Sequence, residues 1–192
     1  LVDNGLGAPN GTPLVGKTRA QVLSEAATVV AKKPDVIEWR VDYFEGIGDS
    51  AAVLDAAQAL RAAVGDAPII FTRRSMREGG ERIAIDDEAV VHLYDVVGAS
   101  GLVDFLDFEM GNEPEHVRRV VANAHAHGAR VILSYHNFAY TPGQDFLVQR
   151  FLEAEGVECR LELGDGLGRG HPLPRGIRLL VYLADEAVSE VL

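Results

Sequence analysis

Phe71-Thr72-Arg73-Arg74-Ser75-Met76-Arg77-Glu78-Gly79-Gly80-Glu81 ends an apolar run with three arginines and two glutamates packed into nine residues. Desolvating charges so densely beside a buried strand costs free energy unless a polar partner receives them, so the segment reads as a site for a polar, anionic small molecule. Glu38-Trp39-Arg40-Val41-Asp42 and Ser134-Tyr135-His136-Asn137-Phe138 repeat the pattern of apolar strand followed by chemistry. His136 is the candidate for proton transfer, because imidazole titrates near neutrality and this one follows Val131-Ile132-Leu133 between polar Ser134 and Asn137. Its alternative is a core histidine with its hydrogen bonds satisfied. Glu78 precedes two glycines that permit close backbone approach, so its carboxylate can be held against a histidine or a ligand; otherwise it is a solvated loop acid. Arg40 and Arg74 have the planar fork that grips a carboxylate bidentately, and the competing reading is a structural ion pair with Glu38, Asp42 or Glu109. Glu38, Asp107, Glu109 and His136 are also metal-ligand types, which leaves a metal-dependent lyase or hydrolase as an alternative. No H-x-H or H-E-x-x-H spacing accompanies them and the arginines oppose a cation there, so no metal is expected. His116, His125 and His127 fall on a helical pattern and read as surface residues.

The elements that position these residues follow a βα rhythm. Apolar, β-branched runs at Val36–Tyr43, Ala67–Arg74, Leu102–Glu109 and Arg130–Phe138 begin 31, 35 and 28 positions apart. Helical patterns lie between and around them at Arg19–Lys33, Ser50–Val64, Asp86–Gly98, Glu113–His127 and Gln144–Glu155, with start or stop signals at Thr18, Ser50 and Gly128. Such alternation implies a parallel sheet covered by helices, either doubly wound or a (β/α) barrel. Charge concentrated near the C-terminal halves of four successive strands favours the barrel, whose strand ends converge on one mouth. No G-x-G-x-x-G turn follows the first readable strand. Residues 1–11 do not read as a complete strand. Val157–Leu163 is a candidate strand, Gly164–Gly176 holds five glycines and two prolines in thirteen residues and reads as a loop, and Ile177–Leu192 reads as a strand entering a short helix.

Composition bounds the partners. The chain has 192 residues, 47% of them hydrophobic and 24% charged, enough for one substantial core. A net charge of −11 argues against nucleic acid or an anionic membrane, and an anionic ligand would need a local arginine cluster. The lone Cys159 fits a reducing compartment, and neither a signal peptide nor an apolar membrane span is readable, so a cytoplasmic protein is expected. The assembly is left open, a homodimer included.

The motifs resemble the class I, aldolase-type 3-dehydroquinate dehydratases. The resemblance rests on Pro13–Thr18, Asp35–Tyr43, Ile70–Ser75 with Glu78–Glu81, Asp104–Glu109, and Ser134–Phe138 with Thr141-Pro142, in the family's order across residues 12–156 of one barrel domain. It implies a (β/α)8 barrel, incomplete or altered at the N-terminus and after residue 156. It also implies dehydration of 3-dehydroquinate to 3-dehydroshikimate, a step of the shikimate pathway to aromatic amino acids, without metal or organic cofactor. In the family a lysine forms an imine with the substrate ketone, and the histidine matching His136 moves the adjacent proton. The residue matching Glu78 orients that histidine, and those matching Glu38, Arg40 and Arg74 line the substrate site. The imine-forming lysine has no match, since this chain's lysines are Lys17, Lys32 and Lys33; Arg160 lies near the expected place, and a guanidinium forms no imine. Asn137 replaces the usual aspartate. Residues 157–192 diverge, as a frameshifted end would, or as would a shortened relative that binds a cyclohexane carboxylate without dehydrating it.

Overall fold

The computed structural model describes residues 11–140, 142–162 and 177–183. Six strands alternate with five helices: β1 (Gly11–Leu14), α1 (Arg19–Val30), β2 (Val36–Arg40), α2 (Ser50–Val64), β3 (Ile69–Thr72), α3 (Asp87–Ala99), β4 (Phe105–Glu109), α4 (Pro114–Ala126), β5 (Arg130–Asn137), α5 (Gln144–Glu162) and β6 (Ile177–Leu183). All strand pairs are parallel, and their order in the sheet is their order in the chain. A doubly wound sheet reverses that order at a switch point, whereas an unbroken sequential order with each helix packed on the next is how barrel staves are laid down. Among the described residues β1 pairs only with β2 and β6 only with β5, so they form an arc of six staves.

Alternation along the strands separates core from chemistry. Ile37, Trp39, Phe71, Leu106, Phe108, Val131 and Leu133 are buried in the main core with the helices. Trp39, Phe71, Tyr94 of α3 and Phe108 run through that layer edge to face, with successive ring centroids 5.6, 5.3 and 4.9 Å apart. The intervening positions, Glu38, Arg40, Thr72, Asp107, Glu109, Ser134 and His136, carry the polar groups on the opposite face.

Several expected boundaries move. Four residues at 11–14 do form a strand, so the first readable run is the second stave; β1 is short and holds only Leu14 fully buried, too little to stand out as a pattern. β2 stops at Arg40 because Val41–Tyr43 turn into a 3-10 helix, and β3 stops at Thr72, so Asp42, Arg73 and Arg74 lie just beyond strand ends. Asp49, not Ser50, caps α2, accepting from the Ala51 amide, while Thr18 and Gln21 form a reciprocal capping box on α1. The expected strand Val157–Leu163 is not one over its described residues: α5 continues through Gly156 to Glu162, and Leu163 lies outside the described residues. The run contains Glu158, Arg160, Leu161 and Glu162, good helix formers, and one glycine costs a helix only about 1 kcal/mol, too little to end it. Ile177–Leu183 is a strand as expected, but Gly164–Gly176 and the helix expected near the C-terminus lie outside the described residues.

At the end of the sheet remote from the charged residues, Arg61 of α2 gathers the chain before β3 and β4. Its guanidinium donates to the carbonyls of Leu102, Gly65 and Ala67 and to Asp104 Oδ2 at 2.6 Å, and Asp104 also accepts from the Ile69 amide. Arg61→Ala should therefore lower stability by about 2–3 kcal/mol in urea unfolding, since several carbonyls lose a charged donor at once. Ligand affinity at the other end should stay unchanged.

Candidate active site

Sharp turns beyond β2 and β3 aim the charged groups inward. After β3, Ser75 O accepts from the amides of Glu78 and Gly80, closing a tight loop around Met76–Glu78. A Cβ on Gly80 would lie 2.0 Å from the Arg74 carbonyl oxygen, and Gly79 is left-handed at φ 82° with the Phe138 ring against it. The two glycines thus let the loop fold back on itself and carry the buried Glu78 over the mouth of the sheet.

There Glu78 meets His136. One oxygen, Oε2, lies 2.8 Å from His136 Nδ1 and accepts the His136 backbone N–H at 2.9 Å. With Glu78 as the carboxylate, Nδ1 carries the imidazole proton and Nε2 is the basic nitrogen. Burial pushes Glu78 up to about 7, and burial with the nearby Arg74 charge pushes His136 down to about 4. The two groups share one hydrogen bond and titrate as a pair. At neutral pH the imidazole is uncharged and able to accept a proton.

Arg74 anchors the next layer. Its buried guanidinium lies 3.2 Å from Asp107 Oδ1 and 3.4 Å from Glu109 Oε1, and donates to Ser134 Oγ at 2.9 Å. Ser134 in turn donates to Asp107, and Glu109 accepts the Ser75 amide at 2.7 Å. Arg40 donates from Nε and Nη2 to the two oxygens of Asp42, each at 2.8 Å, and Asp42 also accepts the amides of Arg74 and Glu81. Glu38 is raised above the usual carboxylate range by burial first and by the charge of Asp107 second. Tyr94 supports the group from behind: its hydroxyl accepts from the Arg73 amide and donates to the Asp107 carbonyl at 2.6 Å, bridging β3 and β4 just where their ladder ends.

The structure brings Glu38, Arg40, Arg74, Glu78 and His136 around one cavity of about 260 Å³, together with Gly79, Asp107 and Phe138. Both arginines carry the ion pairs that were the alternative to a clamp, with Asp42 for Arg40 and with Asp107 and Glu109 for Arg74. Sequence reading passed over Phe138, whose ring stacks on His136 at 6.2 Å between centroids. It also passed over Ser134 as the link between Arg74 and Asp107; the polar residue two positions before the histidine, on the same face of the strand, was the available signal. No lysine comes near. Lys17, Lys32 and Lys33 are exposed, and β6, which aligns Tyr182 with His136, contains no lysine. Among the described residues no three His, Cys, Asp or Glu side chains are grouped to hold a metal ion, and no helix is long and apolar enough to cross a membrane.

These features define a parallel α/β protein of barrel type with a histidine–carboxylate pair at the C-terminal ends of its strands. A family model for type I 3-dehydroquinase matches residues 11–161, and the chain belongs to that family. It is 45% identical over 182 residues to 3-dehydroquinate dehydratase of Albidiferax ferrireducens, covering 94% of this chain and 67% of the relative. The enzyme of that name from Aromatoleum aromaticum is 41% identical, with 89% of this chain and 64% of the relative covered. The crystal structure of type I 3-dehydroquinate dehydratase from Clostridium difficile with covalently modified comenic acid superposes with a TM-score of 0.75 at 34% identity, over 80% of this chain and 60% of that one. The chain thus spans about two thirds of the length of these relatives.

The raised Glu78 carboxyl makes a signed prediction. A carboxyl whose folded pKa exceeds its unfolded value stabilises the fold below the unfolded value, near 4.5, and that contribution is lost as pH rises through about 7. Glu78→Gln does not titrate, so its stability relative to the native chain should improve by on the order of 2 kcal/mol between about pH 5 and about pH 8 in urea unfolding. A constant difference across that range would show that Glu78 is not raised.

Proposed function

We propose that this chain binds 3-dehydroquinate in the 260 Å³ cavity and moves the proton whose loss begins its dehydration. The observation that carries the reading is the His136–Glu78 pair, buried and hydrogen bonded at 2.8 Å, opening on a cavity lined by Glu38, Arg40 and Arg74. In the reaction a proton leaves the carbon between the ketone and the hydroxyl-bearing carbon, and the hydroxyl departs with a proton as water. A neutral His136, held by Glu78 through Nδ1, suits both transfers: Nε2 takes the carbon-bound proton and returns it to the departing hydroxyl. Glu38, Arg40 and Arg74 line the wall against which the hydroxylated ring would lie. No metal or organic cofactor enters the scheme, and a reducing cytoplasm, fitting the lone Cys159, is the compartment.

The missing lysine favours a second reading. Sequence after Lys33 contains no primary amine side chain, so the described site holds groups for binding and proton transfer but none for an imine. A chain that only binds the cyclohexane carboxylate would have the same cavity. Proton exchange separates the two. In deuterated buffer, NMR should show this chain exchanging the proton beside the ketone of 3-dehydroquinate, and His136→Ala should slow the exchange by about 100-fold or more. Borohydride added with substrate should leave Lys17, Lys32 and Lys33 unmodified by mass spectrometry. Binding without exchange would establish the binding-only reading, and exchange that survives in His136→Ala would remove His136 from the role.

A further inference from the structure

Both arginines facing the inner cavity are already engaged. Arg40 forks onto Asp42, and Arg74 lies among Asp107, Glu109 and Ser134. For either to grip a ligand carboxylate in the same way, a buried acid would have to give up its cation, which is costly when that acid stays buried. The loop between β3 and α3 offers another arginine. Arg77 lines a second cavity, of about 540 Å³, with Tyr135, Asn137, Phe138 and Ala139. Glu78, His136 and Phe138 border both cavities, so the proton-transfer pair stands between an inner chamber and an outer one. Arg77 is exposed, and among the described residues no carboxylate lies within ion-pair distance of it. Its charge still reaches the site, drawing Glu78 downward against the larger effect of burial.

The outer chamber offers an aromatic wall and one cation to the acid end of a ligand. Phe138 lies nearly parallel to the His136 ring, 19° between planes, and is 66% exposed. Asn137 fixes the loop beneath it, its Oδ1 accepting the amides of Ala139 and Tyr140 and its Nδ2 donating to the Tyr135 hydroxyl. That leaves the Arg77 guanidinium as the cation of this chamber. On a chain of net charge −11, an anion is repelled at long range, and an exposed arginine beside the reacting histidine is where local attraction can overcome that repulsion.

We infer that Arg77 receives the carboxylate of an anionic cyclohexane ligand whose ring lies in the inner cavity, the carboxylate reaching the outer chamber past His136 and Phe138, which border both. The inference rests on the proposed function for the class of ligand and adds the residue that meets its charge. It is tested by calorimetric titration of the full chain, Arg77→Gln and Arg77→Lys with 3-dehydroshikimate and with its methyl ester, which has lost the carboxylate charge. Arg77→Gln should bind the acid about threefold to tenfold more weakly, with Arg77→Lys recovering part of the loss and the thermal midpoint unchanged. Ester affinity should be the same in all three proteins, and the salt dependence of acid binding should flatten in Arg77→Gln. Equal acid affinity in the native chain and Arg77→Gln, or an equal loss for acid and ester, would overturn the role of Arg77 while leaving the proposed function standing. A native chain that binds neither compound would remove both.

Discussion

The interaction on which the site depends is the burial of one guanidinium, Arg74, between two acids of the next strand. Arg74 leaves the end of β3, meets Asp107 and Glu109 on β4, and reaches Ser134 on β5. An arginine so buried is tolerable only with its donors satisfied, and acids so buried only with a cation between them. The network therefore ties together three strands at the mouth through directional bonds, in addition to the apolar packing behind them. Tyr94 carries that order outward, its hydroxyl linking Arg73 to Asp107 while its ring packs between Phe71 and Phe108 in the helix-facing layer. Burial first, then Asp107, holds its phenol above the usual range, so it stays protonated and able to donate.

The same network tunes the histidine. Glu38, Asp42, Glu78, Asp107 and Glu109 face two arginines, Arg40 and Arg74, around the mouth, an excess of acid among largely buried groups. Asp42 binds Arg40 and backbone amides, whereas Glu38 and Glu78 are raised above the usual carboxylate range, by burial first. His136 feels opposing charges: Arg74 and Arg40 disfavour its cation, while Asp107 and Glu109 favour it. Burial and Arg74 prevail, so the ring is neutral at physiological pH and its basicity is coupled to the proton on Glu78. A positive group entering the cavity would draw protons off both glutamates, which makes the pair responsive to what is bound.

Much of this was legible in the sequence because the barrel repeats a local unit. Spacing near thirty residues between β-branched runs gave the staves, and charged residues near the C-terminal ends of those runs gave a common mouth. What spacing could not show was partnership. Whether Arg74 faces a ligand or Asp107 is decided by contacts across 33 residues of chain, between strands whose register depends on the whole sheet. β1 escaped notice because four residues with one fully buried side chain carry too little periodicity, and the end of α5 was misread because Val157, Cys159 and Leu161 alternate as a strand would while their neighbours favour helix. Gly79-Gly80 illustrates the intermediate case: the sequence announces an unusual backbone, but only the fold shows that Gly79 supplies the left-handed turn and Gly80 the close approach to Arg74.

The site's position within the arc has a mechanical consequence. Glu38 and Arg40 come from β2, Arg74 and Glu78 follow β3, Asp107 and Glu109 lie on β4, and Ser134 and His136 on β5. Each of these four strands has a hydrogen-bonded neighbour on both sides, with β1 and β6 standing outside them. Fraying at a sheet edge breaks ladder bonds of the outermost strand first, and the side chains that hold His136 make their named bonds to Glu78 and, through Ser134 and Arg74, to the interior strands. Glu78 and His136 thus meet across β3 to β5, and His136 is also laddered to β6 at Tyr182, so the geometry of the pair depends on the register of the sheet from β3 to β6.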